Sequence, residues 1–381
     1  MFCGLQSIST KFHILRRTSV ITRSKYQPLQ YYKALDGLRG YAVLMVLIFH
    51  VHLISWGWIG VHVFFVLSGF LITKILLRTK GSGHYYKTFY IRRILRIFPA
   101  YYAMLFATIA YSYYKNAPLE DAWMYILYVQ NFKLGFQNMP TNFSDWFDHT
   151  WTLAVEEQFY LVFPFIVAAC NLKTFRMICW LLIAAGFGAM LLHLVIHESR
   201  MFTFEHTIAY MPFLCAGALL ATTNPESQPA STYDTTKTLS IISLIAIIIF
   251  ASLTFVVPLT GSMQKTETLK GQLYLITALP VIVLTVHILS TYNFRLIRIF
   301  FGNSLITYLG KISYGIYLFH FPVFILCHVH RLPQVAAFGI TFALAILSWH
   351  LFESKILALK YKFMTDKFVE DSLPTDKLPT S

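Results

Sequence analysis

The residues best able to do chemistry in this chain are ionisable side chains set inside long apolar runs. Leu35-Asp36-Gly37-Leu38-Arg39-Gly40 opens one such run, which continues to His50. On a helix, Arg39 and His50 fall within about 20° of one another on one face and about 16 Å apart along the axis. An imidazole titrates near neutrality and suits proton transfer. His50 is therefore a catalytic candidate with Arg39 as its companion; a snorkelling arginine and an interfacial histidine are the structural alternative. His52 falls on another face, nearer the outer end, and reads as structural. A second run holds adjacent carboxylates, Glu156 and Glu157, one to two turns into an apolar helix that opens near Trp151. Ionisable groups at membrane depth are expensive and mark function by default. Successive positions diverge by about 100°, so one carboxylate can meet a substrate while the other meets a neighbouring helix. Pro164 removes the bond to the Tyr160 carbonyl, and a kink is expected there.

Other candidates carry a structural alternative of equal standing. Arg92, Arg93 and Arg96 lie at the cytosolic mouth of the third apolar stretch, and Arg93 and Arg96 share a helix face. Guanidinium forks suit phosphates, and the same side chains suit lipid headgroups. Ser68 and Gly69 are small enough to admit either a packed helix or a ligand. His62 and His320 are open to both readings, and Glu353 reads as an anchor at the cytosolic end. His328 and His330 form an HxH pair with no clear third ligand, so no metal site is expected.

These residues need a frame, and the composition supplies it. Of 381 residues, 56% are hydrophobic and only 13% charged, against about 25% charged in a soluble domain. The mean hydropathy is +0.58. Ten stretches are long and apolar enough to cross a hydrocarbon core about 30 Å thick: 40–56, 58–77, 97–113, 151–170, 177–197, 206–221, 239–258, 272–290, 312–329 and 334–352. Without water, spanning segments of this kind are helices. The fold class expected is therefore all-α, a polytopic membrane helix bundle of about ten transmembrane helices.

Orientation follows from the positive-inside rule. With the N-terminus in the cytosol, the inner segments hold 22 Lys and Arg and the outer segments six. Both termini are then cytosolic, and the half-apolar stretch Leu119 to Phe132 is an outer interfacial or re-entrant piece rather than a span. Three regions result: a basic cytosolic leader (1–35), a transmembrane domain (36–353) and a basic cytosolic tail (354–381). The net charge of +14 is accounted for by segments facing anionic lipid heads, with no call for nucleic acid. The first 35 residues lack Asp and Glu; a plain basic leader explains them better than a transit peptide. The five cysteines show neither metal-ligand spacing nor a disulfide framework.

At this point the motifs resemble a known family. Arg39-x10-His50, Phe64-Phe-Val-Leu-Ser68-Gly69-Phe70 and Arg92-Arg93-Ile-Leu-Arg96-Ile-Phe-Pro99 are similar to those of the bacterial membrane acyltransferase-3 family. So are Trp151-Thr-Leu-Ala-Val-Glu156-Glu157-Gln-Phe-Tyr160 and Ser313-Tyr-Gly-Ile-Tyr-Leu-Phe-His320-Phe-Pro322. The blocks occur in family order from about 36 to 353. His62 departs from the family, where Asp is frequent, and no extracytoplasmic hydrolase-like domain follows the tenth span, so a stand-alone member is expected. The resemblance implies a multi-pass enzyme of the cell (inner or plasma) membrane, an acyltransferase for groups other than amino-acyl groups. It would take an acyl group, usually acetyl, from cytosolic acyl-CoA to a hydroxyl of a carbohydrate or lipid-linked carbohydrate outside. Surface-polysaccharide and O-antigen (lipopolysaccharide) O-acetylation are typical of the family. On that reading His50 is catalytic, as general base or transient acyl carrier, with Arg39 its motif partner and Glu156 and Glu157 on the acceptor side. Arg93, Arg96 and Ser68 hold the coenzyme A donor; Trp151, Tyr160 and His320 contact substrate. No metal is implied. The outer loop Asn116 to Asp148 would set the acceptor, with Tyr125 and Trp146 available to stack on sugars. The rival reading is a proton-coupled transporter using the same buried groups, against which the chain shows no inverted repeat or paired broken helices.

Overall fold

The computed structural model describes residues 31–54, 56–137, 143, 145–196, 206–223, 269–292 and 295–359. Every regular element among them is helical. The long helices α1 (Lys33–His50), α2 (Ile59–Thr79) and α3 (Tyr85–Tyr114) come first, then two short ones, α4 (Ala122–Ile126) and α5 (Gln130–Gln137). A 3-10 segment, Asp145–Thr150, leads into α6 (Trp151–Ala169), α7 (Leu172–Ile196) and α8 (Thr207–Ala221). Next come α9 (Leu269–Thr291), α10 (Arg295–Phe300), α11 (Ser304–Val329) and α12 (Gln334–Ser348). A π-helical turn, Trp349–Glu353, joins α12 to α13 (Ser354–Ala358).

Seven helices among the described residues are long and apolar enough to cross a membrane: α2, α3, α6 with its preceding turn, α7, α9, α11 and α12 with its continuation. They coincide with seven of the ten expected stretches. α8 is apolar but shorter. α1 spans 18 residues and carries Lys33, Asp36 and Arg39. The expected span at 239–258 lies outside the described residues. The chain is an all-α, multi-pass membrane protein. Large side chains left outside the bundle, such as Leu161, Val162 and Phe165 of α6 and Trp180 and Leu181 of α7, are covered by lipid rather than water, the solvent such a helix face suits.

Two boundaries differ from the sequence expectation. α1 stops at His50, and His52 has a positive φ of 60°, a conformation no helix accommodates. α3 starts at Tyr85, so Arg92, Arg93 and Arg96 lie two to three turns inside a helix instead of at its mouth. Hydropathy ends a span at the first charge; the helix continues because its guanidiniums reach a cavity. Within Leu119 to Phe132 the chain forms α4 and the start of α5, too short to span.

Glycines bring the central helices together. A Cβ on Gly310 of α11 would overlap the Asp36 carbonyl of α1, and one on Gly37 would overlap that of Phe301. Gly69 of α2 meets the Leu214 carbonyl of α8, and Gly217 returns the contact to Val66. Small residues at such crossings allow backbones to touch. The α2–α8 and α1–α11 pairs are accordingly the most extensive helix contacts. Asn303 caps α11, its side-chain oxygen accepting from the Ile306 N–H at 2.9 Å. The main core lies between α1, α2, α6, α8 and α9. A second, aromatic core packs Tyr101, Tyr125, Tyr128, Phe143 and Phe147 beside Leu318.

Candidate active site

A cavity opens between α1, α2, α3, α6 and α11. Six of the residues singled out from sequence line it: Arg39, Ser68, Arg93, Arg96, Glu156 and Tyr160. The close α1–α11 crossing sets Arg39, whose Nη1 donates to Asp36 Oδ1 at 3.0 Å; Asp36 also accepts from the Tyr31 hydroxyl at 2.7 Å. Ser68 and Gly69 divide the two roles left open for them. Gly69 admits α8, and Ser68 turns inward, its hydroxyl donating to Glu156 Oε1 at 2.5 Å. Tyr160, one turn beyond Glu156, donates to Ser68 Oγ at 3.1 Å. The Arg93 guanidinium lies over the Tyr160 ring, 5.3 Å from its centroid, a cation–π contact.

The other named residues lie beyond this cavity. The wall at Thr152 and Tyr317 separates it from a cluster of imidazoles. The Tyr317 hydroxyl donates to the His149 carbonyl. A phenol has one proton, so the 2.6 Å contact between Thr152 Oγ1 and Tyr317 Oη is a donation from Thr152. The Tyr317 carbonyl accepts from His320 Nδ1 at 2.5 Å. His320 is fully buried, with its ring centroid 4.9 Å from that of His50 and 5.2 Å from that of His149. His50 directs Nδ1 to the Val46 carbonyl at 2.8 Å. A carbonyl only accepts, so in the neutral ring Nδ1 holds the proton and Nε2 is left with its lone pair. Among the described residues no cluster of His, Cys, Asp and Glu is arranged to hold a metal ion.

Glu157 turns away from the cavity, as divergence by about 100° requires; its Oε1 is buried without a partner. The neighbouring Gln158 Nε2 donates to the Tyr128 carbonyl and Asn131 Oδ1, both at 2.8 Å. Trp151 is buried against Tyr210, centroids 5.1 Å apart. Tyr125 is fully enclosed by Phe143 and Phe147, leaving no free face for a sugar. Trp146 packs on Tyr111. His62 is boxed in by Trp58, Phe65, Tyr210 and Phe213. Glu353 is buried in the π turn, where it accepts from Ser348 Oγ at 2.6 Å, rather than anchored at a surface. The residue that sequence reasoning passed over is His149. Its one legible signal was its place two residues before Trp151.

A cavity with three guanidiniums and a carboxylate, adjoining an imidazole with a free nitrogen inside a membrane bundle, can hold an anionic donor and move a proton. Comparison with known proteins gives the same class. The chain is 32% identical over 378 residues to the peptidoglycan O-acetyltransferase OatA of Listeria monocytogenes, covering 90% of this chain and 57% of that protein. It is 30% identical over 367 residues to YrhL of Bacillus subtilis, named a putative peptidoglycan O-acetyltransferase, covering 87% and 56%. A putative O-acetyltransferase of Staphylococcus aureus is 28% identical over 372 residues, covering 87% and 58%. The chain thus spans somewhat over half the length of these relatives. No solved structure matches it. The acyltransferase-3 family model, described as an acyltransferase domain, matches residues 32–352, and the chain belongs to that family of membrane acyltransferases.

Proposed function

We propose that this protein moves an acetyl group from acetyl-CoA on the cytosolic side to a carbohydrate hydroxyl on the outer side. The observation that carries the reading is the cavity itself. Arg39, Arg93 and Arg96 converge on it from α1 and α3, and neither Arg93 nor Arg96 has an ion-pair partner among the described residues. Uncompensated guanidiniums favour a polyanion such as the phosphates of coenzyme A. The positive-inside orientation puts this end of α1 towards the cytosol. His50, at the opposite end of α1, takes the acceptor proton on Nε2. Glu156, held by Ser68 and Tyr160, stands between the two ends. Trp151 and Glu157 support the acceptor side through packing, and His320 faces the substrate hydroxyl beside His50.

The relatives are named O-acetyltransferases, which supports an acetyl donor, and the guanidiniums of the cavity support acetyl-CoA as its form. Two of them are named for peptidoglycan, which makes a peptidoglycan-type glycan the first acceptor to test, ahead of the O antigen that the motifs suggest. Membranes carrying the protein should release coenzyme A thiol from acetyl-CoA when a glycan acceptor is supplied. The Arg93→Ala, Arg96→Ala double variant should need far more acetyl-CoA for the same rate. Release that is independent of acceptor and of both arginines contradicts the reading. A transporter would instead accumulate solute and release no thiol.

A further inference from the structure

From Ile59 to Phe70, α2 is buried at all but three positions, Val61, Phe64 and Ser68. Their spacing of i, i+3 and i+7 makes them one stripe of the helix, and all three line the cavity of the candidate site. The stripe changes character along its length. Ser68 is hydrogen-bonded to Glu156. Phe64 and Val61, one and two turns towards the N-terminal end of α2, are purely apolar. On α6, Leu153 and Thr152 lie one turn N-terminal to Glu156 and line the same cavity.

The cavity therefore has two unlike ends. At one, Arg93 lies over Tyr160, with Arg39 and Arg96 beside it in the lining. At the other, Val61, Phe64, Phe65 and Leu153 supply apolar surface, and among the described residues no charged side chain lines that end. Thr152 and Tyr317 close it. Thr152 donates to Tyr317 Oη at 2.6 Å, and that hydroxyl donates to the His149 carbonyl. Both hydroxyl protons are thereby committed. The floor ties α6 to α11 and offers a ligand no free donor.

Eight residues of α6, about 12 Å, separate Tyr160 from Thr152. A donor whose phosphates are held at Arg93 and Arg96 extends along this length and sets its acyl end against the floor. We infer that Val61, Phe64 and Leu153 form the acyl-binding end of the donor site, closed by Thr152 and Tyr317, and that this closure restricts the donor to short, uncharged acyl groups. The inference rests on the acyl-transfer reading above and names the residues that set chain length. Each added methylene must displace a packed side chain, and an apolar pocket discriminates one methylene by about 10- to 200-fold. A carboxylate-bearing acyl group would leave water for a surface that holds no cation.

The test uses membranes containing the full chain, with soluble peptidoglycan fragments as acceptor and acetyl-, propionyl-, butyryl- and hexanoyl-CoA as donors. It reads kcat/KM for transfer of each acyl group to the glycan. The wild-type protein should lose about tenfold or more between acetyl- and butyryl-CoA. Phe64→Ala opens one side of the pocket and should raise the butyryl-to-acetyl ratio by about tenfold. Val61→Leu adds one carbon to the wall and should lower the propionyl-to-acetyl ratio. Ratios between donors within one variant do not depend on how much protein inserts, so a loss of yield leaves the result readable. If the wild-type protein uses all four donors equally, or if either inserted variant keeps the wild-type ratios, the acyl end lies elsewhere while acyl transfer stands. If the wild-type protein transfers no acyl group from any of the four donors, the acyl-transfer reading fails and the pocket with it.

Discussion

Among the described residues Arg93 and Arg96 face the cavity without carboxylate partners at ion-pair distance, whereas Arg39 is paired with Asp36. This difference predicts different phenotypes. Removing Arg93 and Arg96 should raise KM for acetyl-CoA by roughly ten- to a hundredfold per side chain, since charge-assisted bonds contribute about 1.5 to 3 kcal/mol each, and should change kcat much less. Titrating initial rates against acetyl-CoA reads this directly; an unchanged KM in the inserted variant would make the arginines topology anchors. His50→Ala should lower transfer by about 10²- to 10⁴-fold, the usual contribution of a general base. His52→Ala is the neighbouring control: it lies past the end of α1, exposed and with positive φ, and should cost little. Comparable losses in both would remove the distinction between them. At this scale the sequence was informative wherever a charge stood in an apolar run, because such a charge is expensive and must be explained. Six of the ten candidate residues line one cavity, and four of those six are charged. His149 escaped notice because a histidine at the rim of a span is ordinary. Its significance comes from His50 and His320, which only the packing of α1 and α11 brings to it.

The site depends on two helix crossings. α1 and α11 meet through Gly40 and Gly310, which holds Asp36 and Arg39 at the cavity; α2 and α8 meet through Gly69 and Gly217, which leaves Ser68 directed at Glu156. Gly310→Val would force the α1 backbone away from α11. Overpacking of this kind costs about 1 to 3 kcal/mol, and more where backbone must move. A lower unfolding midpoint in detergent together with reduced activity is expected, since Arg39 would be displaced. A midpoint equal to wild type would show that the crossing is slack. The spans themselves were legible, because hydropathy over about 20 residues is a strong signal. Their ends were not. α3 continues through Arg92, Arg93 and Arg96, where hydropathy alone stops at the first charge. α1 ends at His50 although Val51, Leu53 and Ile54 continue the apolar run. The π turn at Trp349–Glu353 left no mark in the pattern either; it aims Glu353 inward at Ser348, beside Gly315, and π turns often accompany functional sites.

Across the whole molecule the polar groups are ordered along one direction. Guanidiniums gather around the N-terminal part of α1, Glu156 and Ser68 stand in the middle, and imidazoles gather at its C-terminal end. Basic residues concentrate in the segments read as cytosolic, and the proposed orientation has the arginine end of this line inward. A reporter fused after Ser381 should therefore be active only when designed for the cytosol, and activity of an extracytosolic reporter would invert the arrangement. The acyl class and the membrane setting were readable from motifs and composition, whereas the order of groups through the bundle needed the helix packing. The most direct measurement of the central claim is sided transfer in proteoliposomes of uniform orientation, with labelled acetyl-CoA supplied only on the arginine side and a glycan acceptor only on the opposite side. The account predicts labelled glycan on the acceptor side and coenzyme A thiol on the donor side, in equal amounts, with both lost in His50→Ala. Thiol release without labelled glycan across the membrane, or transfer undiminished in His50→Ala, would contradict it.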